Sequence, residues 1–183
     1  MDNGASSYRR FLNGDDSAFD QIMQELFHPL VFFINRYVQN IHTAEDIAVD
    51  VFADLIVHKH RYNFKVTLKT YLFMLGRSRA LDWLRHQKVI TFVELSQTRA
   101  LQDDTSELEA RILSDDRQRK VHEAINRLST DMRTAVHLVY FENLSYEDTA
   151  KVMKKNRKQV DNLLYRAKKE LRIILGEDGE QLL

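Results

Sequence analysis

Between Asp15 and Leu175 the chain holds one proline, Pro29, and one glycine, Gly76. Hairpins and βα loops depend on those two residue types, since glycine supplies positive φ and proline presets φ for a turn. A stretch this long without them is restricted to helices joined by short polar connections, so the fold class is all-α. The 183 residues allow one ordinary domain or two small ones. Having no cysteine, the chain cannot form disulfides, use a thiolate or hold zinc through sulfur. No run approaches the roughly 18 apolar residues that a bilayer span requires, and the start MDNGASSYRRF lacks the apolar core of a secretory signal. A soluble, cytoplasmic protein is expected.

The formal net charge is zero, with 27 basic and 27 acidic side chains, but the signs are segregated. Residues 1–60 carry 4 basic and 9 acidic groups; 61–91 carry 7 and 1; 92–116 carry 2 and 7; 117–175 carry 14 and 7; 176–183 carry 0 and 3. Two basic segments separated by an acidic one point to two surfaces suited to nucleic acid.

Helical spacing links Phe19, Ile22, Met23, Leu26, Phe27, Leu30, Phe33, Ile34 and Tyr37, with a break or kink expected near His28 because Pro29 cannot donate to the preceding turn. A second helix is expected from Thr43 as N-cap, with Glu45 and Asp46 in its first turn and Ile47, Val51 and Leu55 as its apolar stripe. Leu68 to His86 is helical again. Residues 89–106 have linker composition. Helices are then expected from Glu107 to Leu128, Asp131 to Phe141, Tyr146 to Met153 and Arg157 to Leu175. The expected organisation is an N-terminal extension at 1–14, a helix bundle at 15–88, a flexible acidic linker at 89–106, a second small helical domain at 107–175 and an acidic tail at 176–183.

The sharpest local signal is LSYEDTAKVMKKNRKQVDNLLYRAKKEL. Ser145 can cap a helix with Asp148 as reciprocal partner. A turn at Lys154 to Asn156 leads to a helix on which Val160, Leu163, Leu164 and Ala167 can pack while Arg157, Lys158, Gln159, Asn162 and Arg166 project. That is the layout of a helix-turn-helix, whose second helix enters a major groove with its first residues at base edges. Arginine and lysine read guanine there, and asparagine and glutamine read adenine.

The runs GDDSAFDQIMQELFHPLV, TAEDIAVDVFADLI, KTYLFMLGRSRALDWLR and INRLSTDMRTAVHLVYFENLSYEDTAKVMKKNRKQVDNLLYRAKKELR resemble, in order and spacing, the extracytoplasmic-function group of bacterial RNA polymerase sigma factors. The resemblance covers residues 15–88 (sigma region 2) and 107–172 (sigma region 4). It implies an initiation subunit that needs no cofactor and catalyses nothing itself. Such a subunit binds core RNA polymerase, reads the duplex -35 element with region 4, and melts the -10 element with region 2. It also implies an anti-sigma partner. By the same resemblance, Arg157, Lys158, Gln159, Asn162, Tyr165, Arg166 and Lys168 meet the -35 element. Asp46, Asp50, Asp54 and Leu55 lie on the helix that docks on polymerase. Departures from the family pattern are Lys154, where a turn glycine is usual, Asp161 and Leu163 on the recognition helix, and Ser78, where asparagine is frequent. With Lys154 in the turn, Asn156 is left either to adopt the unusual backbone angle or to cap the following helix.

Read from the residues themselves, Arg61, Tyr62, Asn63, Phe64 and Lys65 mix aromatics, an amide and cations without helical period, as single-stranded DNA binding requires. With Lys69, Tyr71, Arg77 and Ser78 they make up the expected -10 surface. Asp46, Asp50 and Asp54, at i, i+4 and i+8, form an acidic ridge. A metal site built on His42, Glu45 and these carboxylates fails on spacing, because a second Glu-x-x-His set is lacking. A function of a different class stays open beside the first: a stand-alone helix-turn-helix transcriptional regulator with a helical sensing domain.

Overall fold

The computed structural model describes residues 4–94 and 116–176, and every regular element among them is helical. Contacts divide the chain into two compact units at residues 103 and 104. The expected linker from residue 95 onward, the first residues of the helix expected from Glu107, and the tail from 177 lie outside the described residues.

In the first unit, α1 (Ala5–Leu12), α3 (Ile41–Val57) and α4 (Leu68–Glu94) all pack on α2 (Asp16–Val38). Of the break or kink expected near His28, the break does not occur: α2 runs on through Pro29. Leu26, Leu30, Val31, Phe33 and Ile34 are buried on both sides of Pro29. Each such side chain contributes about 1.5–3 kcal/mol, together more than the roughly 3 kcal/mol a mid-helix proline costs. Gly76 sits where α4 crosses α2, and a Cβ there would stand 2.8 Å from Leu30 Cδ1. The missing side chain is what allows the close approach. Phe33 and Phe73 meet in the same layer, with ring centroids 4.8 Å apart.

Three boundaries differ from expectation. The cap of α3 is Asn40, whose Oδ1 accepts the Thr43 N–H at 2.9 Å, so Thr43 lies within the first turn and no acid does. The basic helix α4 continues to Glu94, past the residue 89 at which linker was expected to begin. Within the expected N-terminal extension, α1 packs on α2 and adds to the bundle. Tyr8 is fully buried, and its hydroxyl donates to Lys59 O at 2.8 Å with Leu55 O at 3.2 Å, satisfying carbonyls at the end of α3.

In the second unit, α5 (Asp116–Arg127), α6 (Thr130–Val136) and α7 (Tyr146–Met153) pack on α8 (Arg157–Leu175). A π-helical stretch, His137–Phe141, prolongs α6. Val160, Leu164, Ala167 and Leu171 form the buried stripe of α8, and Met132, Val152 and Met153 are buried on the helices that pack on it. Ser145 Oγ accepts the Asp148 N–H at 3.0 Å and donates to Asp148 Oδ2 at 2.8 Å, so the carboxylate holds the hydroxyl instead of reaching back to the Ser145 N–H. Lys154 itself takes the left-handed conformation at φ 53° and ψ 44°. Asn156 caps α8 in a full capping box, its Oδ1 taking the Gln159 N–H at 2.8 Å and Gln159 Oε1 taking the Asn156 N–H at 2.9 Å.

Two stability changes follow. Burial pushes the Tyr8 phenol up to about 12 from its ordinary value of 10.0, so the folded chain keeps that proton where the unfolded chain loses it. Its contribution is therefore complete below pH 10 and is lost as pH rises to about 12. Tyr8→Phe should lower stability by about 1 kcal/mol at neutral pH through the lost hydrogen bond, and should flatten the alkaline loss in denaturant titrations stepped through that window. An equally steep loss in the variant would show that another group governs it. Lys154→Gly removes a left-handed non-glycine residue and should raise local stability by up to about 1 kcal/mol. Slower hydrogen exchange of the α7 amides is the readout, and unchanged exchange would contradict it.

Candidate nucleic-acid interface

On α8 the buried stripe turns the opposite face outward. Arg157, Lys158, Gln159, Asn162, Tyr165 and Arg166 are all exposed, as the sequence predicts, within the first three turns. Tyr165 is 72% exposed, an arrangement suited to groove or backbone contact rather than packing. Two residues have structural duties as well. The Gln159 carbonyl oxygen is held in the capping box, leaving its amide NH2 to face outward. Lys168 is half-buried, its Nζ lying 5.5 Å from the centroid of the Tyr140 ring. Burial, with Tyr140 and Asp161 close by, raises the Tyr146 phenol above its usual range, and Lys168 opposes that rise. Arg157 pairs with Glu147 at 3.2 Å, across the turn.

In the first unit the segment after α3 is an ordered loop. Arg61, Asn63 and Lys65 are exposed and Phe64 is partly so. Asn63 Oδ1 accepts the Lys65 N–H at 3.1 Å, and Phe64 stands at φ 59°, a strained region for a bulky residue. Tyr62 corrects the expectation of a base-stacking ring. It is 3% exposed, donates to Val66 O at 2.6 Å, and packs against Tyr8, Phe64 and Tyr71 at 5.4, 4.6 and 5.1 Å. Its ring forms the floor of the loop, packed against Tyr8 of α1 and Tyr71 of α4, contacts that periodicity does not convey. Tyr71 is half-buried beside it, and burial raises its phenol. Lys69 lies 5.8 Å from the Phe73 ring; Arg77 and Ser78 are half-buried on α4. A further cation joins the loop from outside the expected surface: Arg9 of α1 stands 4.9 Å over the Phe64 ring. Its only sequence signal is the helical spacing of Tyr8, Phe11 and Leu12 around it.

The acidic ridge on α3 is split. Asp46 and Asp50 are exposed, but the Asp54 side chain is 13% exposed and faces His58, Arg61 and Arg79. Leu55 is 2% exposed and belongs to the core, and its backbone carbonyl accepts from the Tyr8 hydroxyl. Neither side chain shares the exposure of Asp46 and Asp50. Val49, Ile56 and Val57 project beside Asp46 and Asp50, giving a mixed apolar and acidic face outside the stripe of Ile47, Val51 and Leu55.

Residues 22–89 match the sigma-70 region 2 family and residues 118–171 match the sigma-70 region 4 family. The chain is 31% identical over 174 residues to the RNA polymerase sigma-H factor of Pseudomonas aeruginosa, spanning 88% of each chain. It is 22% identical over 157 residues to the ECF RNA polymerase sigma factor SigX of Bacillus subtilis, spanning 83% of this chain and 81% of that one. Among solved structures it resembles the sigma factor RpoE of Bartonella quintana, crystallised with the anti-sigma factor NepR, at a TM-score of 0.69 and 21% identity over 87% of this chain and 98% of that chain. It also resembles CnrH in complex with the cytosolic domain of CnrY, at a TM-score of 0.63 and 19% identity over 96% of each chain. These two likenesses speak to the fold. With both regions matched in order and a relative aligned along nearly its whole length, the chain belongs to the sigma-70 family of RNA polymerase sigma factors, in its extracytoplasmic-function group.

Proposed function

We infer that the chain associates with core RNA polymerase in the cytoplasm and carries it to promoters, contributing recognition and strand opening while polymerase makes the phosphodiester bonds. The exposed row on the first turns of α8 is the observation that carries this reading, because only a helix with one face fully packed can offer the other to a groove in fixed register. Asn162 and the amide of Gln159 are the readers of base edges; Arg157, Lys158 and Arg166 grip phosphates, which gives affinity without sequence information. The mixed face of Asp46, Val49, Asp50, Ile56 and Val57 is the polymerase-docking surface. An anti-sigma factor of the kind found with the structural relatives would compete for such surfaces. A stand-alone regulator would instead bind its duplex fully without polymerase.

Run-off transcription with core polymerase and a promoter library tests the reading as a whole, and no polymerase-dependent transcript from any promoter would overturn it. Within it, Asn162→Ala should relax discrimination at one -35 position by about 1–3 kcal/mol, while Lys158→Ala should weaken all sequences alike and flatten the salt dependence. Binding to singly substituted -35 duplexes at two salt concentrations separates the two, and equal loss across all duplexes from Asn162→Ala would remove it as a reader.

Melting belongs to the loop. Unpaired bases stack on aromatic rings for about 1–3 kcal/mol each, and Phe64 is the partly exposed ring of the segment, with Arg61 and Lys65 beside it. Phe64→Ala should preserve polymerase binding and -35 recognition but abolish opening of linear promoter DNA, with a pre-melted -10 bubble restoring transcription. Permanganate reactivity of thymines reports opening, and wild-type reactivity in the variant would refute the assignment.

A further inference from the structure

The Asp54 carboxylate gathers three cationic or potentially cationic groups from three successive parts of the first unit. His58 Nδ1, at the C-cap of α3, lies 3.0 Å from Oδ1; Arg61, in the loop, lies 3.4 Å from Oδ2; Arg79, on α4, lies 3.7 Å from Oδ1. The carboxylate is largely enclosed, whereas the Arg61 and Arg79 side chains remain 58% and 45% exposed. Two guanidinium groups thus converge on one acid, leaving positive charge in excess on the outward side. A surface ion pair contributes little to stability, about 0–1 kcal/mol. Fixing the direction of two arginine side chains is a different matter, because each otherwise spreads over many rotamers that binding would have to freeze.

We propose that Arg61 and Arg79, held side by side by Asp54, form a binding site for one backbone phosphate of the unpaired promoter strand, with Asp54 as its positioning residue. The proposal deepens the strand-opening role inferred for the loop and rests on it. A guanidinium offers a planar fork of donors matched to phosphate oxygens, and two forks on one phosphate fix the strand where it enters the loop. The bases then arrive beside Phe64 in a set register. Asp54 contacts no DNA here; its negative charge serves by aligning its neighbours, which is why a carboxylate is tolerated at a nucleic-acid surface.

The test uses holoenzyme reconstituted from core polymerase and the full chain, with a pre-melted promoter carrying single methylphosphonate substitutions through the -10 strand. Arg79→Gln and Asp54→Asn should each slow open-complex formation on linear DNA about tenfold while co-migrating with core as wild type does. For Arg79→Gln, the slope of log affinity against log salt should fall by about 0.7, the value for one single-strand phosphate. One methylphosphonate position should weaken wild type strongly and the Arg79→Gln variant hardly at all, a signature that a merely structural role would not produce. Asp54→Glu should recover part of the lost rate. If Arg79→Gln and Asp54→Asn open promoters normally while Phe64→Ala does not, the phosphate site is wrong and the loop reading stands. Should Phe64→Ala also open normally, both fall. Loss of core binding by Asp54→Asn would return Asp54 to the docking face and overturn the proposal. Arg79, at an exposed position, keeps the test decisive if an Asp54 variant fails to fold.

Discussion

A helix that ends inside a small domain must dispose of its last carbonyl groups, and the first unit depends on how α3 does so. The Tyr8 hydroxyl reaches Leu55 O and Lys59 O from the N-terminal helix, and the same ring supports Tyr62. Leaving those acceptors without partners in a buried setting would cost about 1–3 kcal/mol each. Ending α3 there also fixes where the loop begins, so the position of Arg61 and the strained backbone of Phe64 follow from the burial of one phenol eight residues into the chain. Strain of roughly 1–3 kcal/mol at a residue like Phe64 persists only where neighbours over-determine it. Tyr8, Tyr62 and Arg9 surround that ring at 6.2, 4.6 and 4.9 Å.

The second unit meets a related constraint by other means. Its helix-turn-helix closes through Lys154 in a conformation glycine adopts at no steric penalty, and the capping box of Asn156 and Gln159 fixes the next helix at once. Stability at the turn therefore draws on a residue from the reading face. The Gln159 carbonyl oxygen already accepts the Asn156 N–H, so in the proposed reading role the donor side of its amide is the end without that duty. Asn162, three residues on, has no such duty among the described hydrogen bonds and can use both ends of its carboxamide, the pattern that adenine requires.

Much of this was legible in the residues. The scarcity of glycine and proline gave an all-helical chain, periodicity gave the stripes of α2, α3 and α8, and the spacing around Lys154 gave the helix-turn-helix. What periodicity could not convey was which polar group meets which. Asp54 shares the i, i+4 pattern of Asp46 and Asp50, yet it turns toward Arg61 and Arg79, and a sequence pattern carries no information about a partner on α4. Tyr62 sits in a polar, aperiodic run and reads as a surface ring, because its floor is Tyr8, more than fifty residues away. The eight-residue α1 is too short for periodicity to be decisive, and its burial is tertiary. The same limit explains Pro29: the local rule breaks the helix, and the core on either side of it prevails.

The two surfaces solve different physical problems, and their construction differs accordingly. Duplex DNA presents a groove of regular shape, so a straight helix with one packed face is a sufficient reader, and its side chains need only be exposed in register. An unpaired strand has no fixed shape, so the protein must supply the geometry and offset the few kcal/mol of unstacking. A loop free to move would forfeit much of that gain in ordering itself. Here the loop is braced before DNA arrives: Tyr62 from below, Asn63 across its tip, Arg9 over its ring and Asp54 at its entrance. The bracing residues come from α1, α3 and the loop itself, so in the strand-opening role proposed for the loop the helix bundle, and not the loop sequence alone, supplies the geometry.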